Sequence, residues 1–245
     1  MSAEPATSGS TSARDGLNVA VVHDQLRQAI LRGDVPPGPA TSQLVLAREL
    51  GVGRTPLREA LRMLQSEGLV ISEPNRRVRI AELSIADAEE LYVMRILLEA
   101  VAARITVPTL GDRDIAELEG LMAQMDHMMR ADGSIVELHQ QFHARFVQAS
   151  GPRVVSQIGQ LFDHAERYRR AFGAAEPGHW KLRRAEHRQI LDAAKAGDAQ
   201  GTGDAIAAHY LRTAKIVAEV LDPGYDLARL RIAIAVVAPA IVAQV

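Results

Sequence analysis

The sequence predicts a mainly α protein: a small N-terminal unit of three helices and a β-hairpin, followed by an all-α bundle of six to seven helices. Three observations predict it. Apolar residues recur at helical spacing through most of the chain, the one Val/Ile-rich strand-like stretch lies between Leu69 and Glu82, and Pro/Gly clusters cut the remainder into segments of a few turns each. At 245 residues with 47% hydrophobic and 24% charged residues, the chain suffices for one large domain or two modest ones, which excludes a stapled mini-protein.

Residues 1–17 are rich in Ser, Thr, Ala and Gly and are expected to form a disordered tail. Val19 to Leu31 reads as a helix with Val22, Leu26, Ala29 and Ile30 on one face, ended by Gly33-Asp34-Val35-Pro36-Pro37-Gly38, because two prolines cannot continue the backbone ladder. Gln43 to Leu50 is a second short helix, and Gly51-Val52-Gly53 the turn after it. The third helix starts at Gly53 or Thr55, takes Pro56 in its first turn where a missing N–H costs little, and buries Leu57, Ala60, Leu61 and Leu64 before stopping at Glu67-Gly68. Leu69 to Glu73 and Arg77 to Glu82 read as two strands around Pro74-Asn75-Arg76. Together these elements make one domain over residues 18–82.

From Ser84 onward only helical periodicity remains: Ile85 to Thr106, Asp112 to Arg130, Ile135 to Ser150, Val154 to Phe172, Trp180 to Ala196 and Gln200 to Val220. Short breaks between them imply antiparallel neighbours in a bundle over residues 84–221. Ser84 suits the first cap, with Asp87 at the positive end of the helix dipole. Residues 222–245 form an apolar extension whose longest run, Ile232 to Val245, is interrupted by Pro239 and falls short of the roughly 20 residues that a bilayer span needs. It is expected to pack on its own domain or on a second subunit, with no membrane partner.

A formal charge of −2, from 28 Lys+Arg against 30 Asp+Glu, gives no whole-chain attraction to nucleic acid. Divided by region, residues 1–80 hold 10 basic and 8 acidic residues, a balance of +2, and residues 81–245 hold 18 and 22, a balance of −4. The absence of cysteine excludes a disulfide framework and a thiolate metal site, so any transition metal must be held by His and carboxylate. The opening residues lack the apolar core of a secretory signal, and a cytoplasmic location is expected.

Two short helices around a tight glycine turn, the second carrying Arg54, Arg58 and Arg62 at four-residue spacing opposite the leucines, match a helix-turn-helix with its recognition helix. Bidentate arginine side chains there reach guanine edges or phosphates. Asn75, Arg76, Arg77 and Arg79 on the hairpin form a basic wing. The alternative is that these arginines only solvate an exposed face.

The runs Leu26-Arg27-Gln28-Ala29-Ile30-Leu31-Arg32-Gly33, Pro37-Gly38, Leu46 to Leu61 and Glu67-Gly68-Leu69-Val70 resemble the winged helix-turn-helix domain of GntR-family transcription regulators over about residues 19–82. The resemblance places Arg54, Thr55 and Arg58 at DNA-contacting positions and the wing in the minor groove. Three residues depart from the family pattern. Gly53 stands for the usual Ser or Thr, Leu44 for a DNA-touching arginine, and Arg77 for the wing-tip glycine.

The helical half resembles the FCD ligand-binding domain of the FadR-type branch, through Leu91 to Glu99 with its Arg95-x-x-x-Glu99, Phe142-His143, Ala149-Ser150-Gly151 and Glu186-His187. Counting six helices suggests the shorter, VanR-like subgroup. His139 and His143 lie four apart on one helix face, a spacing at which two imidazoles reach one ion. The resemblance adds His187 and His209, and implies a divalent metal with an organic acid bound at its open positions. His139 takes the place of the family's aspartate, so four imidazoles leave the site at the metal's full +2 and favour zinc, with nickel the alternative. Arg95 is the candidate second anchor for a small carboxylate effector. Its alternative is a salt bridge with an acidic neighbour. His23, His127, His164 and His179 read as ordinary imidazoles, and Met122, Met125, Met128 and Met129 as packing residues.

These readings predict a homodimeric, effector-responsive repressor that binds a near-palindromic double-stranded DNA operator and is not an enzyme. Two rivals remain. One is a histidine-ligated metalloenzyme, against which stands the lack of a general-base motif such as His-Glu-x-x-His beside the histidines. The other is a constitutive DNA-binding dimer whose bundle only dimerises.

Overall fold

The computed structural model describes residues 9–130, 135–172 and 177–244. Within it the chain divides into two units, Met1–Glu82 and Leu83–Val245.

The first unit holds α1 (Gly9–Arg32), β1 (Thr41–Ser42), α2 (Gln43–Glu49), α3 (Arg54–Ser66), β2 (Val70–Glu73) and β3 (Arg77–Ile80). Helix α1 starts at Gly9, so residues 9–17, expected to be disordered, continue it. Extending a helix already anchored by Val22, Leu26 and Ile30 adds one hydrogen bond per residue without a new nucleus, which the modest propensities of Ser and Thr do not prevent. Ser42 caps α2, its hydroxyl accepting from the Val45 N–H at 3.2 Å. Gly53 begins α3 in extended conformation with no side-chain cap, and a Cβ there would meet the Pro56 ring at 3.3 Å. The predicted stripe of Leu57, Ala60, Leu61 and Leu64 is buried against α1 and the sheet in one cluster with Leu26, Ile30 and Val78.

The sheet has the order β1-β3-β2, all antiparallel, with Val70 opposite Ile80, Glu73 opposite Arg77 and Thr41 opposite Val78. Strand β1 has no counterpart in the sequence reading, since two residues carry no alternation. What holds it is the ladder to β3 and the Arg77 guanidinium, which donates to the Ala40 carbonyl oxygen.

The second unit contains α4 (Ile85–Thr106), α5 (Asp112–Arg130), α6 (Val136–Arg145), α7 (Pro152–Ala171), α8 (Pro177–Lys195), α9 (Ala199–Leu221) and α10 (Ala228–Val237). The segment expected as one helix from Ile135 to Ser150 ends at Arg145 and continues as a separate 3-10 turn, Gln148–Ser150. Helix α4 is the central element, packed against α7, α9 and α10. Close approach to α9 requires Gly203, where a Cβ would lie 2.9 Å from the Ala100 carbonyl oxygen. Its cap is Ser84, whose hydroxyl accepts from the Asp87 N–H.

The C-terminal extension is part of this unit. Leu230, Ala233, Ile234 and Val237 of α10 join the core cluster of α4 and α9, while Ile232 and Val236 on the opposite face are 67% and 71% exposed. Its start is held by buried Glu89 of α4, which accepts from the backbone N–H groups of Arg229 and Leu230 at 2.9 and 3.2 Å and from the Tyr225 hydroxyl at 3.1 Å. Met122 and Met125 are buried, and Met128 and Met129 pack against the same core. Among the described residues no helix is long and apolar enough to cross a membrane.

Candidate functional site

The arginine face of α3 lies opposite its buried stripe, with Arg54, Thr55, Arg58 and Arg62 all exposed. Glu59 on the same helix accepts from the Arg62 guanidinium at 3.1 and 3.2 Å and lies 3.4 Å from the Arg58 Nε, so part of this positive charge is already matched. Asn75 and Arg76 form the hairpin tip at φ 61° and 56°. Asparagine tolerates that left-handed region, whereas arginine occupies it at a cost of about 1 kcal/mol. Arg77 stands at the position of the family's wing-tip glycine. It is extended, with φ −94°, and its guanidinium is turned onto Ala40 rather than outward from the wing. Arg79 is likewise engaged, between Glu73 and Glu82. Leu44, at the position of the family's arginine, is 54% exposed. His23 is buried at the base of the unit and bonds Glu67, which also receives Arg27.

In the second unit α6 brings His139 and His143 to one face, and α8 and α9 add His187 and His209. All four rings are buried, and one nitrogen or other ligand atom of each lies within 4.8 Å of the others. His143 Nε2 is 3.1 Å from His139 Nε2 and 3.2 Å from His187 Nε2. Donors about 2.0–2.1 Å from one shared ion lie about 2.8–3.4 Å apart between octahedral and tetrahedral geometry, so the spacing fits metal ligation.

The outer nitrogens explain why the inner ones face each other. His187 Nδ1 donates to the Arg183 carbonyl oxygen at 2.8 Å, and His209 Nδ1 to Glu186 Oε2 at 2.6 Å. His143 Nδ1 lies 3.0 Å from the Tyr210 hydroxyl, which itself donates to Glu99 and therefore accepts from the ring. Three imidazoles are thereby fixed with the proton on Nδ1 and the lone pair on Nε2, the tautomer a metal requires. Burial first, then neighbouring rings and guanidiniums, holds all four well below the ordinary histidine value. Neutral lone pairs about 3 Å apart repel unless a cation lies between them. His139 differs, because its Nδ1 is buried with no hydrogen-bond partner.

Beside the histidines is a narrow cavity, partly open to solvent, walled by His139, His209, Tyr92, Phe162, Tyr210 and three arginines. Arg95 is buried, donates through Nε to Glu99 at 2.7 Å and stacks over the Tyr210 ring at 4.0 Å, yet its Nη2 has no partner. The salt-bridge alternative and the cavity-facing placement thus both hold for this residue. Of the arginine group on α7, Arg169 reaches the cavity and forms a two-bond pair with Glu166 at 2.6 and 2.7 Å. Arg183 of α8 was missed from the sequence. Burial and then Arg169 press its guanidinium down to about 10, which leaves it charged at neutral pH, and its Nη2 also lacks a partner. Its position one helical turn before His187 is the signal that marks it.

Two family models match the chain: bacterial regulatory proteins of the gntR family over residues 18–80, and the FCD domain over residues 90–212. An HTH-type transcriptional regulator from an unstable DNA locus of Streptomyces ambofaciens is 30% identical over 207 residues, covering 83% of this chain and 84% of that protein. The HTH-type transcriptional regulator YdhC of Bacillus subtilis is 25% identical over 207 residues, with 83% and 92% covered. Among solved structures, McbR/YncC of Escherichia coli superposes with a TM-score of 0.69 at 22% identity, over 83% of this chain and 98% of that one, a likeness of fold.

Proposed function

The chain belongs to the GntR family of bacterial transcription regulators and carries an FCD domain, and from that premise we propose that it is a homodimeric, effector-responsive repressor. The family consists of transcription regulators, not enzymes, so the metalloenzyme reading of the histidines falls away. In this proposal Arg54, Thr55, Arg58 and Arg62 read base edges and phosphates from α3, and Asn75 and Arg76 approach the backbone from the hairpin tip. Arg77 serves the wing indirectly, by holding the loop at Ala40.

The observation that carries the sensor reading is the preset tautomer of three converging imidazoles beside a cavity walled by buried guanidiniums. His139, His143, His187 and His209 would hold a divalent ion, and the all-nitrogen donor set favours zinc or nickel over manganese. Bound there, the ion supplies a Lewis-acidic anchor for a small carboxylate. Glu99, Glu186 and Tyr210 orient the rings, and Arg95 offers its free Nη2 to the bound acid. Placement in the cytoplasm follows from the proposed target, the operator.

The test starts from an operator selected out of a random DNA pool. Arg58→Ala is expected to weaken operator binding and to lower the slope of log affinity against log salt by about 1 without changing the melting temperature. His187→Ala is expected to lose the metal and the response to small carboxylates while keeping operator affinity. Unchanged operator binding in Arg58→Ala refutes the recognition-helix half, and an effector response surviving in metal-free His187→Ala refutes the sensor half.

A further inference from the structure

The polar groups left over around the cavity are all of one kind. Arg95 Nη2, Arg183 Nη2 and His139 Nδ1 are each buried without a hydrogen-bond partner, and all three residues line the same space. With His139 Nε2 directed at the other rings, all three leftover groups are donors. An occupant that satisfies them must bring several acceptor atoms and no donors in those directions.

The charges point the same way. Glu99 is committed to Arg95 and Tyr210, Glu166 to Arg169 and Arg170, and Glu186 to His209 and Arg212. Arg183 forms no ion pair among the described residues, although only 7% of it is exposed. The histidine end carries no carboxylate either, since an imidazole stands at residue 139. A monocarboxylate can neutralise one of these two regions and leaves the other buried and unmatched. A planar guanidinium fork suits a second carboxylate in geometry as well as in charge. The narrowness of the cavity favours a short, slender acid over a bulky one.

We propose that the cavity selects short dicarboxylic acids over monocarboxylic acids of the same length, one carboxylate lying at the histidine end and the other received by Arg183 together with Arg95. The inference rests on the reading of the histidines as metal ligands and of the cavity as the effector site. The hydrogen bond between Arg183 and His187 is made by the Arg183 backbone carbonyl, which a side-chain change leaves in place, so the metal ligands are expected to stay.

Calorimetric titration of the full-length, zinc-loaded protein with malonate against propionate, succinate against butyrate and glutarate against valerate tests this at fixed ionic strength. In at least one pair the diacid is expected to bind tighter by a factor of about ten or more. Arg183→Gln is expected to erase that advantage while retaining the zinc and the monoacid affinity of the parent. Arg183→Lys, which keeps the charge and most of the volume, is expected to reduce the advantage and serves where the glutamine variant does not fold. Exposed Arg184, paired with Asp126, is the control, and Arg184→Gln is expected to keep the full preference. Equal affinity for both members of every pair overturns the inference and leaves the effector site standing, as does a diacid preference that survives both Arg183 variants. Absence of binding by every acid of either kind overturns the effector site and this inference together.

Discussion

Protonation is the most direct lever on the four buried imidazoles. Their folded values lie well below 6.5, mainly through burial, and in the unfolded chain they return to about that value. As pH falls through about 6.5, the unfolded state takes up protons that the folded state refuses, so the stability these residues contribute is present above that pH and lost below it. The metal-free protein is therefore expected to melt at a lower temperature at about pH 5.5 than at about pH 7.5, as read by calorimetry; a rise on acidification would contradict this. Residues of this kind were only partly legible in sequence. His139 and His143 declare themselves by their spacing of four. Glu99, Glu186 and Tyr210, which set the tautomers, do not, because a hydrogen bond to the outer ring nitrogen leaves no periodic trace. Arg77 shows the same limit in the wing: its type and position are visible, but not that its side chain turns back to Ala40.

At the scale of elements, α10 depends on one carboxylate. Glu89 satisfies two N–H groups at the start of that helix from within α4, and the residue is only 2% exposed. Glu89→Ala leaves both donors without their acceptor and is expected to cost about 1–3 kcal/mol in urea unfolding, with earlier proteolysis of the C-terminal segment. A loss below about 0.5 kcal/mol, the size of an ordinary surface substitution, would mean that water replaces the cap. The other bundle helices were readable because Pro108, Gly151, Pro152 and Gly197 mark their breaks. Helix α10 was not, since its run of Ala, Ile and Val lacks a polar face to fix a period. Strand β1 was invisible for a different reason, its existence being a property of the partner strand and not of Thr41 and Ser42 themselves.

For the whole molecule, the division at Glu82 separates a slightly basic unit from a more acidic one, and each has its own apolar core. A fragment of residues 83–245 is expected to retain as much zinc after gel filtration as the full chain does, because every proposed ligand and tautomer-setting partner lies within it. Loss of zinc on removing the first unit would refute that independence. Family, fold class and the histidine set were legible through motif spacing and resemblance. The donor-only lining of the cavity was not, since it depends on which ion pairs close among residues on α4, α7, α8 and α9. Helix α4 carries Glu89 for the cap of α10, and then Arg95 and Glu99 for the cavity and the His143 ring. One residue inserted between Glu89 and Arg95 would turn everything beyond it by about 100°, so no such insertion satisfies both ends. The length of this stretch is constrained as firmly as its composition, and relatives that share both the cap and the cavity should show no gap there.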